Sequence, residues 1–265
     1  MPPFSTADLL LAARIEAADA ANVMALAEAS QGAIRHTAVQ PVGGGVAVFS
    51  GVGSPMTHAM GIGMKGHVPV ADLERMEAFF RDRGSSCLID LSSLADASVI
   101  AFVQSRPYSL VEFNNVMVRA ISPHEHFSGA AGVRPIAPDE SRKWARVVIE
   151  GFSEHLPVDD AMLALMESTC GAIECWLAED AVAVGGAAMG AQNNIALLTG
   201  DAVLLPARKQ GWQRRLIQAR LAAAQMRGCD LAVACVLPGS GSHRNYERAG
   251  FQLLYTRINI ARHWT

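Results

Sequence analysis

Read for its alternation of apolar and polar positions, the chain opens on a helix. Residues 9–29 are helix formers with few breakers, behind an N-cap offered by Ser5, Thr6 and Asp8. From Arg35 the texture changes to glycine and β-formers. Two short strands are predicted there, 45–49 and 56–64, around the turn Gly51-Val52-Gly53-Ser54-Pro55. A helix follows over 70–83, with Leu73, Met76, Phe79 and Phe80 on one side and Gly84 closing it. A strand (87–91), a short helix (97–105) and strand material (108–118) complete the first half.

Residues 122–132, small and polar, form a linker, and 133–136 begin a second half as an edge strand. Helices are predicted over 139–150 and 159–168, either side of a loop at 151–157. Three strands in hairpin order follow, 172–178, 182–189 and 195–203, with turns at Glu179-Asp180 and Gln192-Asn193-Asn194. A long amphipathic helix (211–227) has Leu216, Ile217, Leu221, Ala223 and Ala224 on its apolar face. An apolar strand (231–235), a Gly/Ser loop and a short helix ending at Gly250-Phe251 complete the pattern.

The order of elements repeats. Laying the end of the first half on the end of the second puts Tyr108 on Phe251 and Arg119 on Arg262, at a constant offset of 143. Only four of the 32 pairs from Leu88/Leu231 to Arg119/Arg262 are identical, so the shared element order carries the case for an internal duplication. The expected partition is 1–121 as a degenerate first copy, 122–132 as linker and 133–265 as the second copy.

Composition narrows the class. With 51% hydrophobic and 18% charged residues the chain is a folded globular protein. A net charge of −3 gives no general attraction to nucleic acid or to an anionic membrane. No apolar run approaches the ~20 residues of a membrane span, and the start lacks the basic region of a signal peptide, so a cytoplasmic location is expected. The five cysteines have no CxxC spacing and read as reduced, mostly buried thiols. His124-Glu125-His126 lacks the helical spacing of a zinc motif and reads as solvated linker; no metal is expected.

One stretch concentrates chemistry. Arg208, Lys209, Gln210, Gly211, Trp212 and Gln213 lie where a strand hands over to a helix. A basic loop feeding a helix N-terminus brings unpaired N–H groups and the positive end of the dipole to one point, which suits a phosphate.

With that loop placed, the second half resembles the GNAT superfamily of acyl-CoA-dependent N-acyltransferases. Two motifs carry the resemblance. One is the Q/R-x-x-G-x-G/A pyrophosphate turn, matched by Arg208 and Gly211, with Gln213 standing where Gly or Ala is usual. The other is the Y-x-x-x-G-F helix end, matched by Tyr246, Gly250 and Phe251. The first half looks like a degenerate copy of the same fold, since 65–69 contains no R-x-x-G.

The resemblance implies an α/β (α+β) chain of two GNAT-like mixed-sheet domains, each a central, mostly antiparallel sheet flanked by helices. It implies acetyl-CoA as co-substrate and a small-molecule amine as acceptor, with no nucleic-acid or membrane partner; the protein is expected to be a monomer or homodimer. Asp201, Ala202 and Val203 would meet the pantetheine arm through their backbone, residues 208–213 would hold the pyrophosphate, and Ser242 would lie beside them. Tyr246 is implied as general acid, with His243 and Ser242 nearby as substitutes. The general base stays open among Glu174, Glu150, Glu154 and His155. A second reading also stays open, a non-catalytic protein of the same fold that senses a ligand or partner.

Overall fold

The computed structural model describes residues 7–32, 37–127, 130–153 and 158–264. The chain forms two compact units. The first comprises Met1–Met117, Val236–Pro238 and Gln252–Thr265; the second comprises Val118–Cys235 and Gly239–Phe251. The expected partition placed 252–265 with the second copy, whereas this last stretch packs within the first unit.

In the first unit, helix α1 (Leu9–Ala29) starts at Asp8, whose side chain accepts a hydrogen bond from the Leu11 N–H at 3.0 Å. Ser5 and Thr6, the other cap candidates, lie outside the described residues. Strands β1 (Ala38–Val42), β2 (Gly45–Phe49) and β3 (His58–Met60), helix α2 (Val70–Arg81), strand β4 (Cys87–Ser92), helix α3 (Ala97–Gln104) and strand β5 (Ser109–Ala120) follow. β1 was not expected. It forms a hairpin with β2 through Gly43 and Gly44, both at positive φ.

β3 is shorter than the expected 56–64, because the chain turns at Gly61 and Gly63, also at positive φ. The C-terminal strand β11 (Gln252–Arg262) runs antiparallel to β4, from Arg257 opposite Ser92 to Arg262 opposite Cys87. The strand order in this unit is therefore β1-β2-β3-β4-β11-β5. α2 and α3 bury Ala47, Phe49, Ala59, Ile89 and Leu91 on one face, and α1 covers Val46, Val48 and Met60 on the other.

The second unit contains β6 (Val133–Pro135), α4 (Ser141–Ser153), α5 (Asp160–Thr169), β7 (Glu174–Asp180), β8 (Val182–Gln192), β9 (Ile195–Val203), α6 (Trp212–Met226), β10 (Leu231–Val236) and α7 (Gly241–Arg248). Its strands lie in the order β6-β7-β8-β9-β10, antiparallel up to β9 and parallel between β9 and β10. Asn193 and Asn194 make the β8–β9 turn, both at positive φ, as a tight two-residue hairpin requires. α4 and α5 bury Trp144, Val148 and Leu163 against Leu177 and Ala188, and α6 packs along β8 and β9 on the other side. The offset of 143 carries α2, β4, α3 and β5 onto α6, β10, α7 and β11 to within two residues at every boundary. No helix among the described residues is long and apolar enough to cross a membrane.

Candidate cofactor and acyl-transfer site

The site is built where β9 and β10 part. Their parallel pairing runs from Ile195 opposite Leu231 to Leu198 opposite Ala234 and ends there. On its other side β9 stays paired to β8, but with a bulge: Gly186 faces Ala202 and Ala188 faces Thr199, so two residues of β9, Gly200 and Asp201, oppose Ala187. Gly200 sits at φ +66 within this bulge. From Thr199 onward, then, the β9 backbone leaves β10 while its residues are re-aimed. α4 closes on the same segment at Gly151, where a Cβ would meet the Ala202 Cβ at 2.7 Å. Only glycine permits that approach.

The chain then turns through 204–211 into α6. The Arg208 side chain does not project into solvent as an open cation. Its Nε donates to the Val203 carbonyl at 3.0 Å and its Nη2 to the Gly151 carbonyl at 2.9 Å, tying the loop to the end of α4. A cation at carbonyls of a helix's last turn also suits the dipole there. The Gln210 side chain donates to the Pro206 carbonyl at 3.1 Å. Lys209 (φ +63) and Gly211 (φ +84) adopt left-handed backbone.

Gly211, which has no side chain to cap the helix, is the N-cap of α6, and the first turn of the helix holds no acidic residue. Among the described residues nothing lies within 4 Å of where a Gly211 Cβ would be, so glycine serves conformation here rather than close packing. The Trp212 side chain is buried beneath Arg215, whose guanidinium stands 4.4 Å from the ring centroid; Trp212 offers the site only its backbone.

Gln213 faces α7. Its Nε2 donates to Ser242 Oγ at 2.8 Å, and its Oε1 accepts from Asn245 Nδ2 at 2.7 Å. The residue that departs from the usual Gly or Ala therefore fastens the start of α6 to α7, and Ser242 is its partner. His243 lies over the preceding loop, its Nδ1 accepting from the Gly239 N–H at 2.9 Å.

Tyr246 is 1% exposed and stacks edge-on against Phe251 at 4.9 Å. Its hydroxyl donates to Asp201 Oδ2 at 2.6 Å. The other partner of Asp201 is Arg220, fully buried in the middle of α6, which makes two hydrogen bonds to the carboxylate. Arg220 also donates to the carbonyls of Ala188 (3.1 Å) and Thr199 (3.2 Å), the β8 and β9 groups that flank the bulge. Burial, and then the Asp201 charge, push the Tyr246 hydroxyl well above its ordinary value. Burial alone would lower the Arg220 pKa, but Asp201 and Tyr246 outweigh it and hold the guanidinium charged. The resemblance implied Tyr246 as general acid; in the structure its hydroxyl donates a hydrogen bond to Asp201.

Arg220 was missed by sequence reading. The available signal was a lone arginine between Ile217 and Leu221 on a helix's apolar face. Among the expected bases, Glu174 is ion-paired with Arg227 at the start of β7. Glu150 lies in the α4 turn that packs on Ala202, with Arg146 at 3.8 Å. Glu154 and His155 fall outside the described residues.

The corresponding loop of the first unit serves its own fold. The Gly63 N–H donates to Gly43, the Gly63 carbonyl accepts from Asp96, and the Val68 N–H donates to Ser98 Oγ at 2.9 Å. Asp72 supplies a carboxylate in the first turn of α2, where α6 has none.

No family model and no curated protein sequence matches the chain. Solved structures do. A GCN5-related N-acetyltransferase from Kribbella flavida superposes with a TM-score of 0.63 at 17% identity, covering 92% of this chain and 96% of that one. A tandem GNAT protein from the clavulanic acid biosynthesis pathway covers 97% of this chain and 96% of its own, with a TM-score of 0.59 at 11% identity. A GCN5-related N-acetyltransferase from Sphaerobacter thermophilus gives 0.57 at 16% identity, over 77% and 71% of the two chains. At these identities it is the fold that is shared: the chain has the fold of these GCN5-related N-acetyltransferases and of the tandem GNAT protein.

Proposed function

We propose that the protein is an acetyl-CoA-dependent N-acetyltransferase whose second unit transfers the acetyl group to the amine of a small molecule. One observation carries the reading. The parting of β9 from β10 beyond Leu198 leads directly into an uncapped, left-handed glycine start of α6. An extended acyl-thioester arm fits the first feature and a pyrophosphate the second. When bound, acetyl-CoA supplies the activated acyl group: the amine nitrogen bonds to the carbonyl carbon, the C–S bond breaks, the thiolate takes up a proton and the new amide nitrogen loses one.

The chain's residues would act on that reaction as follows. Backbone groups of residues 201–203 align the arm, and N–H groups of Lys209, Gly211, Trp212 and Gln213 receive the pyrophosphate. Arg208 holds the loop to α4 rather than reaching the anion. Tyr246, if it protonates the thiolate, must first leave Asp201, at a buried position where a tyrosinate beside a carboxylate is costly. The observed bond fits an anchoring role better, with the thiolate protonated from solvent. For the base, Glu150 is the described candidate best placed, beside Gly151 and Ala202.

The second reading, a ligand-binding protein without catalysis, is favoured by the same bond and by Gln213's attachment to α7. Thiol release from acetyl-CoA, followed across a panel of small primary amines, separates the two. Turnover above the no-amine rate with any member supports the enzyme; background rates throughout, with acetyl-CoA bound, support the sensor.

A further inference from the structure

Away from this site, two of the five cysteines meet. Cys170 caps the C-terminus of α5 and Cys175 is the second residue of β7, and their sulfurs are 3.4 Å apart. The chain between them is a tight turn, with the Ala172 and Ile173 N–H groups donating to the Thr169 carbonyl at 2.9 and 3.2 Å. The two thiols differ in environment. Cys175 is buried with Trp144, Leu163 and Leu177. Cys170 is half-buried, and both cysteines line a cavity of about 510 Å3 together with Pro135, Ile136, Glu167 and Glu174, Cys175 being the more buried of the two. A half-buried thiol in non-bonded contact with a more deeply buried one is the arrangement of an attacking and a resolving cysteine.

We propose that Cys170 and Cys175 form a dithiol that hydrogen peroxide oxidises reversibly to a disulfide. The Cys170 thiolate attacks the peroxide oxygen; the O–O bond breaks and, with one proton taken up, water leaves, giving a sulfenic acid. The Cys175 sulfur then displaces the sulfenic oxygen as a second water, forming the S–S bond. Overall two thiols give up two electrons and two protons, and one peroxide becomes two waters. Closure asks the sulfurs to approach from 3.4 Å to about 2.0 Å.

The Cys175 hydrogen bond, outweighing partial burial, holds the Cys170 thiol below its ordinary value, while the same bond and then burial push Cys175 up. Cys87 differs: burial pushes it up to about 12. The disulfide would join the end of α5 to β7.

The full chain allows a direct test, since residues 147–208 form one tryptic peptide containing both cysteines. The reduced protein is treated with hydrogen peroxide, its remaining thiols are alkylated, and its peptides are mapped by mass. Expected is a 147–208 peptide lighter by two hydrogens and unalkylated, with Cys87, Cys229 and Cys235 still alkylated, and dithiothreitol restoring both thiols. In Cys175→Ser, oxidation should stop at a sulfenic acid that dimedone captures on Cys170; in Cys170→Ser, Cys175 should stay a thiol. The proposal is overturned if, in the unaltered chain, Cys170 oxidises to sulfenic or sulfinic acid while Cys175 remains alkylatable. It is equally overturned if Cys235 oxidises while the pair stays reduced. The unaltered chain decides the matter even if a variant fails to fold.

Discussion

Arg220 occupies the middle of a helix face otherwise made of Leu216, Ile217, Leu221 and Ala224, and it is fully buried there. A charge so placed survives only if its partners are in position, and Asp201, the two carbonyls beside the β9 bulge and the Leu216 carbonyl supply them. Removing one partner strands the other. Arg220→Met should therefore destabilise the second unit by roughly 3–5 kcal/mol, read by urea denaturation. The double variant with Asp201→Asn should recover part of that loss; a simple sum of the two single effects would contradict the coupling.

Tyr246→Phe separates anchoring from acid catalysis. Anchoring predicts a loss of about 1–3 kcal/mol in stability and weaker acetyl-CoA binding, as Asp201 loses a donor. A pure acid role predicts unchanged stability and a fall in kcat alone, and we expect the former.

At the scale of elements, the loop at 208–213 depends on left-handed backbone at Lys209 and Gly211. Gly211→Ala should cost about 1–2 kcal/mol, the usual penalty of a Cβ in that conformation, since nothing else obstructs it. A second element-level prediction concerns the first unit, where His58 of β3 meets Asp90 of β4 at 3.1 Å, with Asp19 of α1 and Arg257 of β11 also acting on the ring.

Burial lowers the His58 pKa, but Asp90 outweighs it, so the net value lies above the ordinary 6.5. Burial raises Asp90, but the charge and hydrogen bond of His58 carry it below 3.8. The pair therefore stabilises fully between those ordinary values. Its contribution fades as pH rises through the raised His58 value, and again as pH falls through the lowered Asp90 value. Melting temperatures followed upward from about pH 6 should drop more steeply for the unaltered chain than for His58→Gln; parallel curves would contradict this.

The same elements show what a sequence discloses. Strand β9 and helix α1 matched their predicted ends because caps and turn residues announce them: Asp8 in one case, Asn193 and Asn194 in the other. β1 escaped notice because Gln40 and Pro41 blur its alternation, leaving only the Gly43-Gly44 turn as a sign. Arg220 escaped because pattern reading assigns any charge to solvent, and only the carbonyls flanking a bulge reveal why it is buried. The loop itself was legible, but the partners of its side chains were not. Arg208 reads as a phosphate ligand and is found holding α4.

For the whole molecule, order along the chain proved a poor guide to one matter, the membership of the last strand. β11 follows α7 in sequence, yet it pairs with β4, a partner nearly 170 residues earlier, and packs in the first unit. Deleting residues 252–265 should therefore unfold the first unit, removing the β4 edge contacts and the Arg257 ion pairs with Glu16 and Asp19. Hydrogen exchange should report the loss of protection at β4 and α1; unchanged protection there would count against this pairing.

The duplicated element order comes with divided roles. The first unit's β3–α2 loop is closed by its own hydrogen bonds and carries Asp72 at the helix start, while the second unit's α6 starts at a glycine without a capping side chain and has no acidic residue in its first turn. The proposed function rests on that difference.

The most direct measurement of it is a thermal-shift titration of acetyl-CoA against the unaltered chain and Gly211→Asp. Aspartate tolerates left-handed backbone and its Cβ would meet no described neighbour within 4 Å, so the variant should fold while setting a negative charge near the α6 N-terminus. At about 100 times its Kd, acetyl-CoA should stabilise the unaltered chain by about 2.7 kcal/mol, with the shift lost in the variant. No shift in the unaltered chain, or equal shifts in both, would contradict a pyrophosphate site at 208–213.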